Sequence, residues 1–311
     1  MVVQFIFYVF KWRSQMETGA LVHRNGVLHD PADMEIRQRV HCMWAAVAGA
    51  WKEHAAYVDK RATPISGKLI ELSSPSPGDR VLELACGAGG LGLEVARLVG
   101  PEGTVVVSDV APEMTSVALA RATALGIRNV TGQTLDIEAI DQPDNSFNIV
   151  LCREGLMFAL HPARAVQEMV RVLAPGGRLA VSVWGARSAN PWLGRIFDSA
   201  SAVLDRPVPP PGIPGPFSLG EPGQLSAALA RPDLVDMTVV EVAIDTTAAS
   251  FEEYWKRTSA LAGPLSKILA GLPPERIERL KEKLQDSLAP FDGPNGLKIP
   301  GVALVAAGIR G

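Results

Sequence analysis

Between residues 81 and 184, short apolar runs alternate with stretches of helical periodicity. The run Val81-Leu82-Glu83-Leu84-Ala85 passes directly into Cys86-Gly87-Ala88-Gly89-Gly90. A short apolar run bounded by a glycine cluster predicts a buried strand feeding a tight loop. The spacing then predicts a helix over 91–99, stopped by Gly100-Pro101, and a second strand over 104–108, ending at Asp109. Further predicted elements are a helix over 112–125, strands over 130–135 and 147–152, a helix over 162–173, and a strand over 178–184 after the turn Pro175-Gly176-Gly177. Strands alternating with helices of this length imply right-handed crossovers and a mainly parallel sheet covered on both faces. The fold class is α/β.

Upstream, Ile36, Val40, Met43, Trp44, Val47 and Trp51 recur at helical spacing. Residues 34–72 therefore read as two helices, the second starting at Thr63-Pro64. Downstream come a helix over 192–204 and a stretch over 207–217 whose six prolines imply a stiff extended loop. A strand over 237–244 and a last strand over 302–309 bracket a long helical stretch. In it Ile277, Leu280, Leu284 and Leu288 mark one apolar face, and Glu278 with Lys281 a solvated one. The expected organisation is an extension over 1–33, poorly ordered, and a single domain over 34–311. That domain divides into helices over 34–78, a core over 79–185, a proline-rich loop and helices over 186–235, and a helical insertion over 246–300.

Charge narrows the partners. The net charge of −3 lacks the basic excess of a dedicated nucleic-acid binder. Cys42, Cys86 and Cys152 are odd in number and far apart, without the spacing of a zinc site or redox pair, so a reducing, cytoplasmic compartment and no metal are expected. The apolar run over residues 1–10 is about half the roughly 20 residues a membrane span needs. Lys11 and Arg13 follow that run instead of preceding it, which does not fit a secretory signal. It reads as a shallow interface anchor or an upstream extension of the true start, and stable membrane insertion is not expected.

In an open α/β sheet, ligands bind beyond the carboxyl ends of the strands. Glycines let a ligand approach the backbone closely, and the following helix N-terminus offers free N–H groups to an anion. Asp109 stands where a carboxylate can accept hydrogen bonds from ribose hydroxyls. These features describe a nucleoside-containing ligand. Gly87-Ala88-Gly89-Gly90-Leu91-Gly92 also fits the G-x-G-x-x-G of dinucleotide binders. Glu83 argues against that alternative, because a charge within a buried strand is costly unless it meets a ligand or a cation.

Residues 81–89 resemble motif I of class I S-adenosylmethionine-dependent methyltransferases. Ser108-Asp109-Val110-Ala111-Pro112-Glu113-Met114 resembles that family's ribose-binding segment, and Leu135-Asp136-Ile137 its adenine-contacting pair. Residues 143–150 and 171–179 are similar to the segments leading into its fourth and fifth strands. Residues 152–158 resemble its ubiquinone/menaquinone-biosynthesis-like small-molecule branch. Residues 44–51 resemble a helix whose second aromatic, here Trp51, closes over the cofactor. The resemblance implies a Rossmann-like fold with seven strands in the order 3-2-1-4-5-7-6, strand 7 antiparallel, helices on both faces, and the insertion between strands 6 and 7 as a lid. It implies S-adenosylmethionine as cofactor, held by Trp51, Glu83, Ala85, Cys86, Gly87, Gly89, Asp109, Val110, Met114, Asp136, Ile137 and Cys152. Two departures stand out: Ala85 replaces the motif's first glycine, and Asn148 stands where Asp is frequent.

Methyl transfer is an in-line displacement at an already activated carbon, so positioning dominates and a base is optional. His54, Glu154 and His161 are the titratable candidates for a base, and the sequence assigns none of them. Arg153, Phe217, Tyr254 and Trp255 are the candidate acceptor contacts, since variable elements on a fixed platform carry specificity. Their apolar and aromatic character points to a flat or lipophilic small molecule methylated on O or C. The alternatives are a nicotinamide-dependent oxidoreductase and a non-catalytic module that binds S-adenosylmethionine.

Overall fold

The structure, a computed structural model, describes residues 31–210 and 212–311. The expectations for residues 1–30 lie outside the described residues. The chain divides into units Met1–Val40 and His41–Gly311. The described part of the first is the opening of helix α1 (Pro31–Glu53), where Arg39 and Glu35 pair one turn apart at 2.5 Å.

Helix α2 (Ala55–Ser73) follows α1 after a break at His54. Pro64 thus lies inside α2 and does not start it. The helix tolerates it because Pro64 and Lys60, whose carbonyl loses its intrahelical partner, are both exposed, so water can satisfy that oxygen. The buried face of α2 comprises Ala55, Val58, Ala62, Ile65 and Leu69.

The core then alternates as its apolar runs dictate. It contains β1 (Arg80–Leu84), α3 (Gly90–Val99), β2 (Thr104–Asp109), α4 (Pro112–Ala124), β3 (Val130–Thr134), β4 (Phe147–Arg153), α5 (Pro162–Val172) and β5 (Leu173–Trp184). Strand β5 begins before the predicted turn. Its register with β4 jumps from Phe147↔Leu173 to Ile149↔Arg178, which makes Pro175-Gly176-Gly177 a bulge inside the strand. Beyond it lie α6 (Pro191–Leu204), α7 (Pro222–Leu229), β6 (Leu234–Ala248), α8 (Phe251–Leu261), α9 (Gly263–Leu269), α10 (Pro274–Leu288), β7 (Asp292–Gly293) and β8 (Gly296–Arg310).

The sheet order is β3-β2-β1-β4-β5-β8-β6, with β8 antiparallel to both β5 and β6. The seven long strands take the expected order, β8 standing as strand 7. The eighth strand is the two-residue β7, which folds back on the start of β8 through Gly293↔Gly296. Strands β6 and β8 are paired over Ala248↔Leu297 to Leu234↔Arg310, longer than their apolar runs predict. In α10, Leu280, Leu284 and Leu288 are buried one turn apart. Lys281 lies 3.1 Å from Glu252 and 3.7 Å from Glu278 on the outside.

Strand β1 lies between β2 and β4, so successive connections leave it on opposite sides. That reversal opens a crevice at the carboxyl ends of β1, β2 and β4. Asn148 sits at the opposite, amino-terminal end of the strands, where its Oδ1 accepts the Arg80 N–H at 2.9 Å. The departure at Asn148 therefore stands away from the crevice. Among the described residues no helix is long and apolar enough to cross a membrane.

Candidate active site

The loop after β1 is wound tightly enough to need left-handed backbone. Ala85, Gly87 and Gly89 have φ of +51°, +52° and +79°. For Ala85, an L-residue with a Cβ, that conformation costs about 1–2 kcal/mol. The Cys86 N–H donates to Ser108 O at 2.9 Å, and Ser108 Oγ donates to Glu83 O at 2.9 Å, so β2 holds the loop.

Two buried carboxylates flank this loop. Asp109 Oδ2 accepts the Gly87 N–H and Oδ1 the Ala111 N–H, each at 3.0 Å. Burial raises its pKa to about 6, against the pull of those backbone N–H groups. Glu83 is only 1% exposed and accepts the Gly92 N–H at 3.0 Å in the first turn of α3. Burial raises its pKa to about 8, although Arg153 and the Gly92 N–H oppose the shift. A side chain at Gly92 would collide with this carboxylate, since its Cβ would lie 2.3 Å from Glu83 Oε2.

An aromatic roof covers the loop. A Cβ at Gly87 would lie 3.0 Å from the Trp51 ring. The Trp51 indole N–H donates to Leu261 O at 3.1 Å, joining α1 to the end of α8. Trp44 packs edge-on to Trp51 and to Phe158, with ring centroids 6.0 and 5.0 Å away. Met114 is buried in a small cluster with Val47, Ala48 and Ala111, against which Trp44 and Trp51 pack. Val110 and Ile137 are half-buried, and Asp136 Oδ1 accepts the Glu138 N–H at 2.8 Å. Cys86 and Cys152 are buried free thiols; burial pushes the Cys152 thiol up to about 12, so neither is poised as a nucleophile.

Two neighbours of the loop carry no sequence signal. Arg121 of α4 donates to Ala88 O and to Asp59 Oδ2, both at 2.5 Å. Asp59 Oδ1 is buried without a partner and would lie 1.9 Å from a Cβ at Gly90, beside the start of α3.

At the ends of β4 and β5 lies a second group. Glu154 has φ +58°, and its N–H donates to Ser182 O at 2.9 Å and Ser182 Oγ at 3.1 Å. Its Oε2 lies 3.9 Å from an Arg61 guanidinium nitrogen, and its Oε1 is buried without a partner. Arg153 donates to Ser66 Oγ at 2.7 Å. Gly155 abuts the loop: a Cβ there would lie 2.4 Å from the Ala85 Cβ and 2.8 Å from Cys152 Sγ.

The other candidates are dispersed. His54 lies at the break between α1 and α2, 4.0 Å from Glu53 Oε1. His161 is exposed at the N-terminus of α5, where its backbone N–H donates to Glu138 Oε1 at 3.2 Å. Phe217 packs beside Arg187, 5.9 Å from its guanidinium. Tyr254 is fully buried and donates to Trp192 O at 2.5 Å, which makes it a support for Trp192 with no surface of its own to offer. Trp255 is half-buried against the main core. Among the described residues no group of His, Cys, Asp and Glu is arranged to hold a metal ion.

Residues 75–203 match a family model described as a methyltransferase domain. The ubiquinone/menaquinone biosynthesis C-methyltransferase UbiE of Ectopseudomonas mendocina is 37% identical over 164 residues, 50% of this chain and 64% of that protein. The protein of the same name from Pseudomonas aeruginosa is 39% identical over 136 residues, 43% of this chain and 53% of that protein. The chain thus spans less than two thirds of the length of these relatives. Among solved structures, YcgJ from Bacillus subtilis superposes with a TM-score of 0.54 at 20% identity, covering 79% of this chain and 97% of that one. The [4+2]-cyclase SpnF superposes at 0.53 and 18% identity, covering 87% and 95%. These likenesses show the fold.

Proposed function

We propose that this chain, whose residues 75–203 match a methyltransferase-domain model, is a class I S-adenosylmethionine-dependent methyltransferase that transfers a methyl group to O or C of a small planar or lipophilic molecule. The observation that carries the proposal is the pair of buried carboxylates, Glu83 and Asp109, closing one glycine loop at the point where strand order reverses.

The residues fit the cofactor chemically. Each Asp109 oxygen accepts one backbone N–H and keeps a further acceptor site for a ribose hydroxyl. The loop backbone at Gly87 and Gly89, followed by the α3 N-terminus, suits the carboxylate of the methionine part. Glu83 supplies the negative charge that favours its ammonium group. Val110 and Met114 would belong to the ribose-binding segment and Asp136 and Ile137 would meet the adenine, while Trp51 packs over Gly87. When bound, the cofactor supplies an activated methyl group on a sulfonium, and the protein's task is to align an acceptor with it and exclude water.

The fold alone does not assign transfer, because a [4+2]-cyclase shares it. The names of the curated relatives support a small-molecule acceptor and carbon as one site of methylation. The free buried thiols Cys86 and Cys152 support a reducing, cytoplasmic setting. Release of S-adenosylhomocysteine with a panel of phenols and enols tests the proposal. Acceptor-dependent release supports it, whereas cofactor binding without release to any acceptor favours the non-catalytic module.

A further inference from the structure

Arg61 and Glu154 form a buried charge pair that is left incomplete. Their side chains are 9% and 11% exposed, and their nearest charged atoms are 3.9 Å apart, too far for a hydrogen bond. Arg61 Nε and Glu154 Oε1 are both buried without a partner. Burying ions without completing their hydrogen bonds costs several kcal/mol per ion, so the arrangement stabilises nothing by itself. The spacing nevertheless suits one inserted atom: an oxygen about 2.8 Å from each partner bridges such a gap at roughly a right angle.

The surroundings define what that atom belongs to. The Arg61 guanidinium lies 4.5 Å from the Trp192 ring centroid, 5.2 Å from that of Trp184 and 5.9 Å from that of Tyr57. Trp184 and Trp192 meet edge to face at 5.0 Å. Arg257 stacks on Tyr57 at 3.5 Å. Its Nε and Thr246 Oγ1 are also buried without partners. The region is aromatic, and the Arg257 guanidinium is already paired with Glu253 at 2.6 Å. The region adjoins the cofactor loop through the Gly155–Ala85 contact.

We infer that Arg61 and Glu154 are the acceptor subsite, taking a planar conjugated molecule with an acidic hydroxyl, a phenol or an enol, whose oxygen sits between guanidinium and carboxylate. This deepens the methyltransferase proposal and rests on it. Glu154 accepts the hydroxyl proton, and the O–H electron pair stays with the acceptor as an oxyanion held by Arg61. The acceptor oxygen, or a carbon conjugated with it, then forms a bond to the methyl carbon as the carbon–sulfur bond breaks, leaving the neutral thioether. In the carbon case the displaced ring or chain proton is lost to solvent. Glu154 returns its proton to water afterwards. The groups facing Glu154 bear on this step: burial raises its pKa, while Arg61 of α2 and Arg153 of β4 pull it down, leaving a carboxylate that can take a proton and release it.

The test uses the full chain saturated with S-adenosylhomocysteine and 4-nitrophenol as probe, whose absorption distinguishes phenol from phenolate. At a pH well below the probe's solution midpoint, the wild type is expected to bind it and show the phenolate band. Arg61→Met and Arg61→Lys should each weaken binding roughly tenfold or more, because the first loses the charge and the second the planar fork and its stacking. Glu154→Gln should still bind the probe but lose the band at that pH. Binding of S-adenosylhomocysteine to each variant reports folding and the cofactor site separately. If the wild type binds S-adenosylhomocysteine but not the probe, or if the variants leave affinity and band unchanged, this inference is overturned while the methyltransferase proposal stands. If the wild type binds no S-adenosylhomocysteine, both fall.

Discussion

The Asp109 carboxylate, at the end of β2, accepts the Gly87 N–H from the loop after β1 at 3.0 Å. One residue thereby fixes the loop and presents the oxygens proposed to bind ribose. Asp109→Ala should lower stability by about 1–3 kcal/mol, since it leaves the Gly87 and Ala111 N–H groups unpaired. Asp109→Asn, which keeps one acceptor oxygen, should lose less. Chemical denaturation of the three proteins checks the order; equal stability would show that the loop does not depend on this carboxylate.

Glu83 makes stability depend on pH. Its native pKa of about 8 lies above its ordinary value, so between roughly pH 4.5 and 8 the folded protein holds a proton that the unfolded chain has released. Stability contributed by that proton is complete below this window and is lost as pH rises through it, by a few kcal/mol in all. Wild-type Tm should therefore fall from pH 6 to pH 8, and Glu83→Gln should flatten the fall. The same variant should bind S-adenosylmethionine more weakly at pH 8, where about half of the wild-type carboxylate is already ionised and the ammonium group of the cofactor favours the rest. Parallel Tm profiles for the two proteins would sink this assignment.

Ala85 and Gly155 should be coupled. A Cβ at Gly155 would lie 2.4 Å from that of Ala85, so Gly155→Ala should cost about 1–3 kcal/mol. In an Ala85→Gly background the same change should cost clearly less, because the opposing Cβ is gone. Ala85→Gly alone relieves a φ of +51° but loosens the unfolded chain, and should change stability by less than about 1 kcal/mol. A double-mutant cycle measured by denaturation gives the coupling, and strict additivity would contradict the packing described.

Tyr254 acts through Trp192. Its hydroxyl donates to Trp192 O, and the Trp192 ring faces the Arg61 guanidinium. Tyr254→Phe should cost about 0.5–1.5 kcal/mol of stability and weaken 4-nitrophenol binding, while S-adenosylhomocysteine binding stays unchanged. Loss of cofactor binding instead would place Tyr254 in a different role.

The sequence disclosed the elements whose signals are local. Strand β1, its loop and Asp109 were legible because an apolar run, three glycines and a strand-end carboxylate lie within thirty residues. The break at His54 carries no comparable sequence signal, because Pro64 is the stronger conventional one, yet Pro64 lies on an exposed face where the helix absorbs it. The bulge in β5 is not legible, because Pro-Gly-Gly signals a turn whether or not β4 continues to pair beside it. Contacts between distant segments gave no sign at all. Trp51 meets Leu261 across 210 positions, and Asp59 meets Arg121 across 62. Nothing in the sequence marks Arg61 within its helix, and Glu154 is one titratable residue among three. Their pairing arises from packing α2 over the ends of β4 and β5, which no periodicity encodes.

The decisive measurement is calorimetric titration of the wild type and Asp109→Ala with S-adenosylmethionine, S-adenosylhomocysteine and NAD. Both sulfur nucleosides should bind the wild type and NAD should not, and Asp109→Ala should lose roughly 10–100-fold in affinity for both. Binding of NAD in their place, or of none of the three, would contradict the assignment of the crevice to S-adenosylmethionine.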